Sequence, residues 1–221
     1  MDTFHSAGIG CWHEVKPTMG PMISGALKPT VTRLINPVAR LALRIGLTPN
    51  SVTVLGAIGL VSSAMYFYIN ESYFVGTLVI TVFALSDLFD GAMARISEQG
   101  SSLWGGFLDS TIDRITDSAI IIAILIPLIS ADDSLALVGL TTLVTGLLIP
   151  YIRAKAESFN IQCSVGIAER TERLIILLTA IGLHGLGVPY ALAMGLWLLA
   201  ILGVITVFQR IRTVFIGLHS S

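Results

Sequence analysis

The sequence is short of charged residues, and this shortage argues against an ordinary soluble domain. Only 12 % of its 221 residues are Asp, Glu, Lys or Arg, about half of the ~25 % found in soluble globular domains. Cysteine is equally scarce, because Cys11 and Cys163 are the only two and their separation gives neither a disulfide framework nor a metal-ligand spacing. Hydrophobic residues instead make up 54 % of the chain, and the mean hydropathy is +0.83. We therefore expect membrane lipid, and no nucleic acid, among its partners.

Apolar residues are grouped into six segments, each near the ~20 residues that cross a bilayer as a helix. These segments run over residues 51–70, 73–95, 103–130, 134–157, 171–187 and 189–209. Three connections between them, 70–72, 130–134 and 185–187, contain no Lys or Arg. Because successive segments cross the membrane in opposite directions, all 13 basic residues fall on the membrane side opposite these three connections. The positive-inside rule makes that basic side cytoplasmic. The sequence predicts a multi-pass protein of the plasma membrane with both termini in the cytoplasm.

The segment before the first apolar stretch has a different pattern. Apolar residues recur at helical spacing from Val31 to Ile45, while Arg33, Arg40 and Arg44 share another face. This pattern predicts an amphipathic helix in the membrane interface, with a basic linker as the alternative. We therefore predict an all-α integral membrane protein with a poorly ordered tail (1–30), an interfacial amphipathic helix (31–46) and a six-span domain (47–215).

Four aspartates converge at the end of the second segment and the start of the third. Asp87 and Asp90 are three residues apart, and Asp109 and Asp113 are four apart, so each pair shares one helix face. The short intervening loop makes the two helices antiparallel neighbours, which brings the four carboxylates together near the cytoplasmic surface. An Asp inside a span costs about 2.5–3.5 kcal/mol. Four together therefore require a compensating cation.

The carboxylate cluster predicts a divalent metal site that binds a diphosphate. Carboxylate oxygens suit Mg²⁺, Mn²⁺ or Ca²⁺, and Mg²⁺ usually completes its coordination with water and substrate phosphates. Such an ion would polarise a phosphoryl oxygen and neutralise a leaving group. Asp117 continues the same face one turn further, either in the cluster or as a buried structural hydrogen-bonding group. A cation transporter is the non-enzyme alternative, although transporters usually bind ions near the bilayer midplane, often on broken helices.

The aspartates belong to a longer pattern, Asp87-x2-Asp90-Gly91-x2-Ala94-Arg95 followed by Gly105-x3-Asp109-x3-Asp113. This pattern resembles the signature of the CDP-alcohol phosphotransferases, although its spacer of nine residues exceeds the usual eight. The resemblance implies a six-helix homodimer, two Mg²⁺ ions with Mn²⁺ as an alternative, and a CDP-linked donor. It makes Asp87, Asp90, Asp109 and Asp113 the metal ligands and Asp113 also the proton acceptor. The residues it implies for binding CDP-diacylglycerol are Asn50, Ser51, Val52, Thr53, Gly91, Arg95 and Ser102.

Stretches after the signature are similar to the bacterial phosphatidylinositol phosphate synthases within that family. They cover residues 151–157, 169–175 and 207–210, and the resemblance implies that Arg153, Arg173 and Arg210 bind the phosphate of the acceptor. Arginine forks suit bidentate phosphate recognition. The predicted reaction moves a phosphatidyl group from CDP-diacylglycerol to myo-inositol phosphate and releases CMP. One alternative is phosphatidylglycerophosphate synthesis from glycerol 3-phosphate. Another is a prenyltransferase with two Asp motifs, and the Gly91-x2-Ala94-Arg95 insert argues against it.

Overall fold

The computed structural model describes residues 46–85, 89, 93, 102–167 and 169–219. The helices in these ranges are α1 (Pro49–Ile69), α2 (Tyr73–Ala84), α3 (Leu103–Ser130), α4 (Leu135–Glu157), α5 (Arg170–Gly185) and α6 (Ala191–His219). No strand occurs in these ranges, so the all-α prediction is confirmed for the part of the chain described. The predicted tail (1–30) and all but the last residue of the predicted interfacial helix (31–46) lie outside the described residues.

Local signals in the sequence explain where the helices begin. Thr48 precedes Pro49, the first residue of α1, and its side-chain oxygen accepts a hydrogen bond from the Ser51 backbone N–H at 3.2 Å. Ser102 caps α3 in the same way, by accepting from the Gly105 N–H at 2.9 Å. Hydroxyl caps of this kind satisfy backbone donors that have no partner within the helix. The chain therefore fixes the starts of α1 and α3, which carry predicted donor-binding residues.

The helices pack as neighbours in a bundle whose core is almost entirely apolar. α1 packs against α2 and α3, α5 against α2 and α6, and α4 against α3 and α6. Ile80, Ile120, Ile124, Ile181 and Leu196 are fully buried in this core. The side chains leave little space between α4 and α6, where a Cβ at Gly203 would collide with Thr145. Small residues at such positions let helix backbones approach closely.

The outer surface of the bundle is unusually apolar. Val82, Leu137, Met194 and Phe208 are each about 70 % exposed, which would be costly in water over so many positions. In the described ranges, three helices (α1, α4 and α6) are long and apolar enough to cross a membrane, and α2 is a shorter apolar helix. These features identify a membrane protein. The other two described helices, α3 and α5, carry the predicted site residues Asp109, Asp113 and Arg173.

Candidate functional site

The structure describes one of the two predicted aspartate pairs. Asp109 and Asp113 lie on one face of α3, where Asp109 is exposed and the Asp113 side chain is only 14 % exposed. The predicted ligands Asp87 and Asp90, and the predicted donor contacts Gly91 and Arg95, lie outside the described residues. No group of three or more His, Cys, Asp or Glu suitable for a metal occurs within the described ranges. Two carboxylates facing one side of a helix nevertheless provide oxygen donors of the type that Mg²⁺ and Mn²⁺ prefer.

The N-termini of α1 and α3 lie side by side next to these carboxylates. A Cβ placed on Gly105 would lie 3.1 Å from Ser102 Oγ and 3.2 Å from Asn50 Oδ1, so Asn50, Ser102 and Gly105 form one tight cluster. Helix N-termini carry backbone donors and a partial positive charge, which favour bound phosphate. The fold thus brings together two of the predicted donor-binding residues at a position suited to a diphosphate.

A cavity of about 260 Å³ opens between α1, α2, α3 and α5. Its polar lining includes Thr53, Asp113, Asp117 and Arg170, whereas residues such as Leu60, Ile120, Leu174 and Leu178 form apolar walls. The predicted donor contact Thr53 and the predicted base Asp113 therefore line the same space. A cavity with charged groups and apolar walls suits a ligand that combines a phosphate head with hydrocarbon chains.

Two arginines contact the carboxylate of Asp113. Arg170 Nη1 lies 2.9 Å from Asp113 Oδ1, and Arg114 Nη2 lies 3.5 Å from Asp113 Oδ2. Arg170 also contacts Asp117, with Nη2 at 3.4 Å from Oδ1. The sequence assigned no role to Arg170 and left Asp117 open between the metal cluster and a structural role. In the structure, Asp117 is an ion-pair partner of Arg170.

The three arginines predicted to bind the acceptor come from α4, α5 and α6 and have different surroundings. Arg173 lines a small cavity of about 40 Å³ together with Asp117 and Arg170. Arg173 and Arg153 each interact electrostatically with Arg210, which is consistent with one shared basic region. A region with several positive charges attracts an anion, and a bound anion offsets the repulsion among the arginines.

Two of these arginines also make contacts that the sequence did not predict. Arg153 Nε lies 2.9 Å from Glu157 Oε1, four residues later on α4, and both side chains are more than half exposed. Arg210 donates from Nε to the Val165 carbonyl at 2.9 Å and from Nη1 to the Ile149 carbonyl at 2.6 Å. An arginine has five N–H donors, so Arg210 can stabilise the segment between α4 and α5 and still donate to a phosphate. Arg173 is consequently the sharper test of the predicted pocket.

Known proteins resemble this chain over most of its length. The sequence matches the family model described as CDP-alcohol phosphatidyltransferase over residues 46–209. A phosphatidylinositol phosphate synthase of Streptomyces avermitilis is 39 % identical over 208 residues, which cover 90 % of this chain and 85 % of the relative. The phosphatidylinositol phosphate synthase of Mycobacterium tuberculosis is 42 % identical over 188 residues, covering 83 % of this chain and 86 % of the relative.

Solved structures show the same similarity in three dimensions. The crystal structure of the Mycobacterium tuberculosis phosphatidylinositol phosphate synthase with CDP-DAG bound gives a TM-score of 0.78 at 41 % identity, covering 83 % of this chain and 94 % of that chain. Its complex with manganese and citrate gives a TM-score of 0.77 at 41 % identity, covering 82 % and 88 %. The region that matches the family model, residues 46–209, includes the helices that carry Asp109, Asp113 and Arg173.

Proposed function

This chain belongs to the CDP-alcohol phosphatidyltransferase family, and on that premise we propose that it transfers a phosphatidyl group from CDP-diacylglycerol to myo-inositol phosphate. The products are phosphatidylinositol phosphate and CMP. The observation that carries this proposal is the similarity to phosphatidylinositol phosphate synthases at about 40 % identity, which covers 83–90 % of this chain. The same similarity disfavours the alternative acceptor, glycerol 3-phosphate, and the cation transporter. The enzyme depends on a divalent metal, in line with the manganese in the related crystal structure.

The donor would occupy the space beside Asp113. Asn50 and Ser102, at the adjacent N-termini of α1 and α3, are positioned to bind the phosphates of CDP-diacylglycerol. We assign Ser51, Val52 and Thr53 to the same contact, since Thr53 lines the cavity with Asp113, and we add Gly91 and Arg95 from the signature. The apolar walls of the cavity suit the hydrocarbon chains of the lipid. In this proposal the reacting phosphate lies next to the carboxylates.

The carboxylates of Asp87, Asp90, Asp109 and Asp113 would hold two divalent ions. When bound, these ions supply Lewis-acid stabilisation of the phosphoryl oxygens and of the departing CMP. Asp113 takes the proton from an acceptor hydroxyl, and the resulting oxygen attacks the phosphatidyl phosphorus as its bond to CMP breaks. Arg173, with Arg153 and Arg210, binds the phosphate of the acceptor and so holds the hydroxyl within reach of Asp113.

We expect Arg173→Ala to raise the KM for inositol phosphate by roughly 10- to 150-fold, because a hydrogen bond to a charged group contributes about 1.5–3 kcal/mol. The KM for CDP-diacylglycerol should stay nearly unchanged, because the donor is bound on other helices. Steady-state CMP release measured against each substrate checks this. Arg212→Ala, an exposed arginine of α6, is the control that should leave both constants unchanged. Equal rises in both KM values would indicate general damage, and no rise in either would refute the acceptor pocket.

The membrane topology is a further part of the proposal. We propose that all six helices span the membrane and that the site faces the cytoplasm, with the protein acting as a homodimer. The observation behind this orientation is the absence of Lys and Arg from residues 70–72, 130–134 and 185–187, combined with the positive-inside rule. Arg153 and Arg170, by contrast, lie at the end of α4 and the start of α5, which are joined at the opposite end of the bundle.

We expect cysteines introduced at Ser72 or Ser134 to react with a membrane-impermeant thiol reagent from outside the cell, and a cysteine at Ser158 to react only after the membrane is opened. All three serines are exposed in the structure, so accessibility differs only through the side of the membrane. The measurement uses a chain with Cys11→Ser. Labelling of this chain without an introduced cysteine, when only the buried Cys163 remains, gives the background. Labelling of Ser158→Cys from outside, without labelling at the other two sites, would show that the proposed orientation is wrong.

A further inference from the structure

Arg170 joins two acidic residues of α3 from the start of α5. Its Nη1 lies 2.9 Å from Asp113 Oδ1, its Nη2 lies 3.4 Å from Asp117 Oδ1, and its Nε donates to Asp117 Oδ2 at 3.4 Å. The three side chains are only 14–27 % exposed. Ion pairs shielded in this way are screened less by salt than surface pairs. The contact therefore links two helices through the predicted proton acceptor.

The chemistry of both helices explains why an arginine can make this contact. Asp113 and Asp117 are four residues apart on one face of α3, which places their Cβ atoms about 5–6 Å apart. The guanidinium is planar and presents several donors in a fixed fork, whereas a lysine ammonium is a single compact charge. One arginine can consequently hold both carboxylates, and a lysine at the same position cannot reproduce the geometry.

The backbone of Arg170 is itself fixed by the cap of α5. Glu169 is the N-cap residue, and its backbone N–H donates to Glu172 Oε2 at 3.0 Å in a reciprocal capping box. Such a box satisfies orphan donors at both positions and defines the direction in which the chain enters the helix. Arg170 is thus held at its backbone by the start of α5 and at its guanidinium by Asp117.

The two oxygens of the Asp113 carboxylate make arginine contacts of different length. Oδ1 makes the short contact with Arg170, and Oδ2 makes the longer one, 3.5 Å, with Arg114. The short charge-assisted contact is the stronger of the two. A carboxylate held through Oδ1 cannot rotate freely about its terminal bond, so the direction of Oδ2 is fixed with respect to the cavity that Asp113 lines.

We propose that Arg170 is a positioning residue for Asp113, and that Asp117 fixes the Arg170 guanidinium in the required orientation. This inference rests on the proposed function, in which Asp113 removes the proton from the acceptor hydroxyl. Arg170 acts through Asp113 and not by binding substrate. It differs in this from Arg173, which lies one turn further along α5 and binds the acceptor phosphate.

The test compares Arg170→Lys with the unmodified enzyme. We expect kcat to fall by about 100-fold, the loss that a misplacement of about 1 Å can cause, while the KM values for CDP-diacylglycerol and inositol phosphate stay nearly the same. Asp117→Asn should also lower kcat. The double variant with Arg170→Lys and Asp117→Asn should show no lower kcat than Arg170→Lys alone, because the effects of residues that act as a unit are non-additive. Arg212→Lys is the matched control and should retain full kcat.

Two kinetic results would overturn the inference. Full kcat in Arg170→Lys would show that charge without the planar fork is sufficient, which removes the positioning role. A rise in the KM for inositol phosphate with unchanged kcat would make Arg170 a part of the acceptor site instead.

A melting experiment on the metal-free protein separates this inference from the proposed function. We expect Arg170→Gln and Asp113→Asn each to lower Tm, and the double variant to melt close to the lower of the two, since both remove the same ion pair. Strictly additive changes in Tm would show that the pair does not form and would overturn the inference whatever the substrate. Failure of the proposed function has another signature, in which the unmodified enzyme releases no CMP with inositol phosphate although the melting temperatures remain coupled.

Discussion

Asp113→Asn is expected to lower kcat for CMP release by about 10²- to 10⁴-fold, the usual effect of losing a general base. The asparagine side chain has the same shape as aspartate, and its amide oxygen can still accept a hydrogen bond from Arg170 Nη1, which lies 2.9 Å from Asp113 Oδ1. It has, however, no carboxylate to take the acceptor's proton. The variant should therefore fold and insert normally while the chemical step becomes slow.

The Asp113 prediction needs a control for the loss of one negative charge. Asp132→Asn provides it, because Asp132 is exposed in the turn between α3 and α4, at the other end of α3. Its positive φ of 53° is a conformation that asparagine also adopts readily. We expect this variant to keep the kcat of the unmodified enzyme. If Asp113→Asn also kept near-normal kcat, Asp113 would be a ligand or a structural residue and not the proton acceptor.

Asp109→Asn is expected to abolish metal-dependent CMP release, as is removal of divalent metal from the unmodified enzyme with EDTA. The reason is electrostatic, since an amide oxygen carries no net charge to offset a divalent ion, and the phosphates of the donor would then repel the remaining carboxylates. Asp109 is exposed near the start of α3, so its replacement removes no core packing. The unmodified enzyme should recover when Mn²⁺ or Mg²⁺ is added back.

The metal prediction is checked by activity as a function of Mn²⁺ concentration, together with Mn²⁺ binding measured directly by electron paramagnetic resonance. Asp109→Asn should bind fewer or weaker Mn²⁺ ions than the unmodified enzyme, whereas Asp132→Asn should bind them normally. An Asp109→Asn variant with unchanged Mn²⁺ binding and activity would exclude this residue from the metal site. Activity that persists in EDTA would exclude the metal dependence itself.

Helix positions could be predicted from the sequence where hydrophobicity and helix ends coincide. The apolar segment 103–130 has the same bounds as α3, and segment 134–157 differs from α4 by one residue. The agreement fails at α6, which extends to His219, past the predicted end at 209. Arg210 and Arg212 end the apolar run but not the helix, since charged residues stop a membrane span while remaining good helix formers.

The candidate site could be predicted only in part, for a physical reason. Helical periodicity placed Asp109, Asp113 and Asp117 on one face of α3, because that relation lies within a few residues. The partner of Asp113 and Asp117 is Arg170, more than fifty residues along the chain, and no local spacing indicates which arginine of α5 turns toward them. The hydrogen bonds from Arg210 to the Val165 and Ile149 carbonyls could not be predicted from the sequence either. By contrast, the contact of Arg153 with Glu157 follows the i,i+4 rule and could have been anticipated.

The most direct test of the central claim is the product formed by the purified enzyme from CDP-diacylglycerol and Mn²⁺ with different acceptors. We predict that myo-inositol phosphate gives phosphatidylinositol phosphate, identified by mass spectrometry, in equal amount to the CMP released. Glycerol 3-phosphate under the same conditions should give much slower CMP release, and reactions without acceptor or with EDTA should give only background. Faster turnover with glycerol 3-phosphate, or no phosphatidylinositol phosphate from inositol phosphate, would contradict the proposed function.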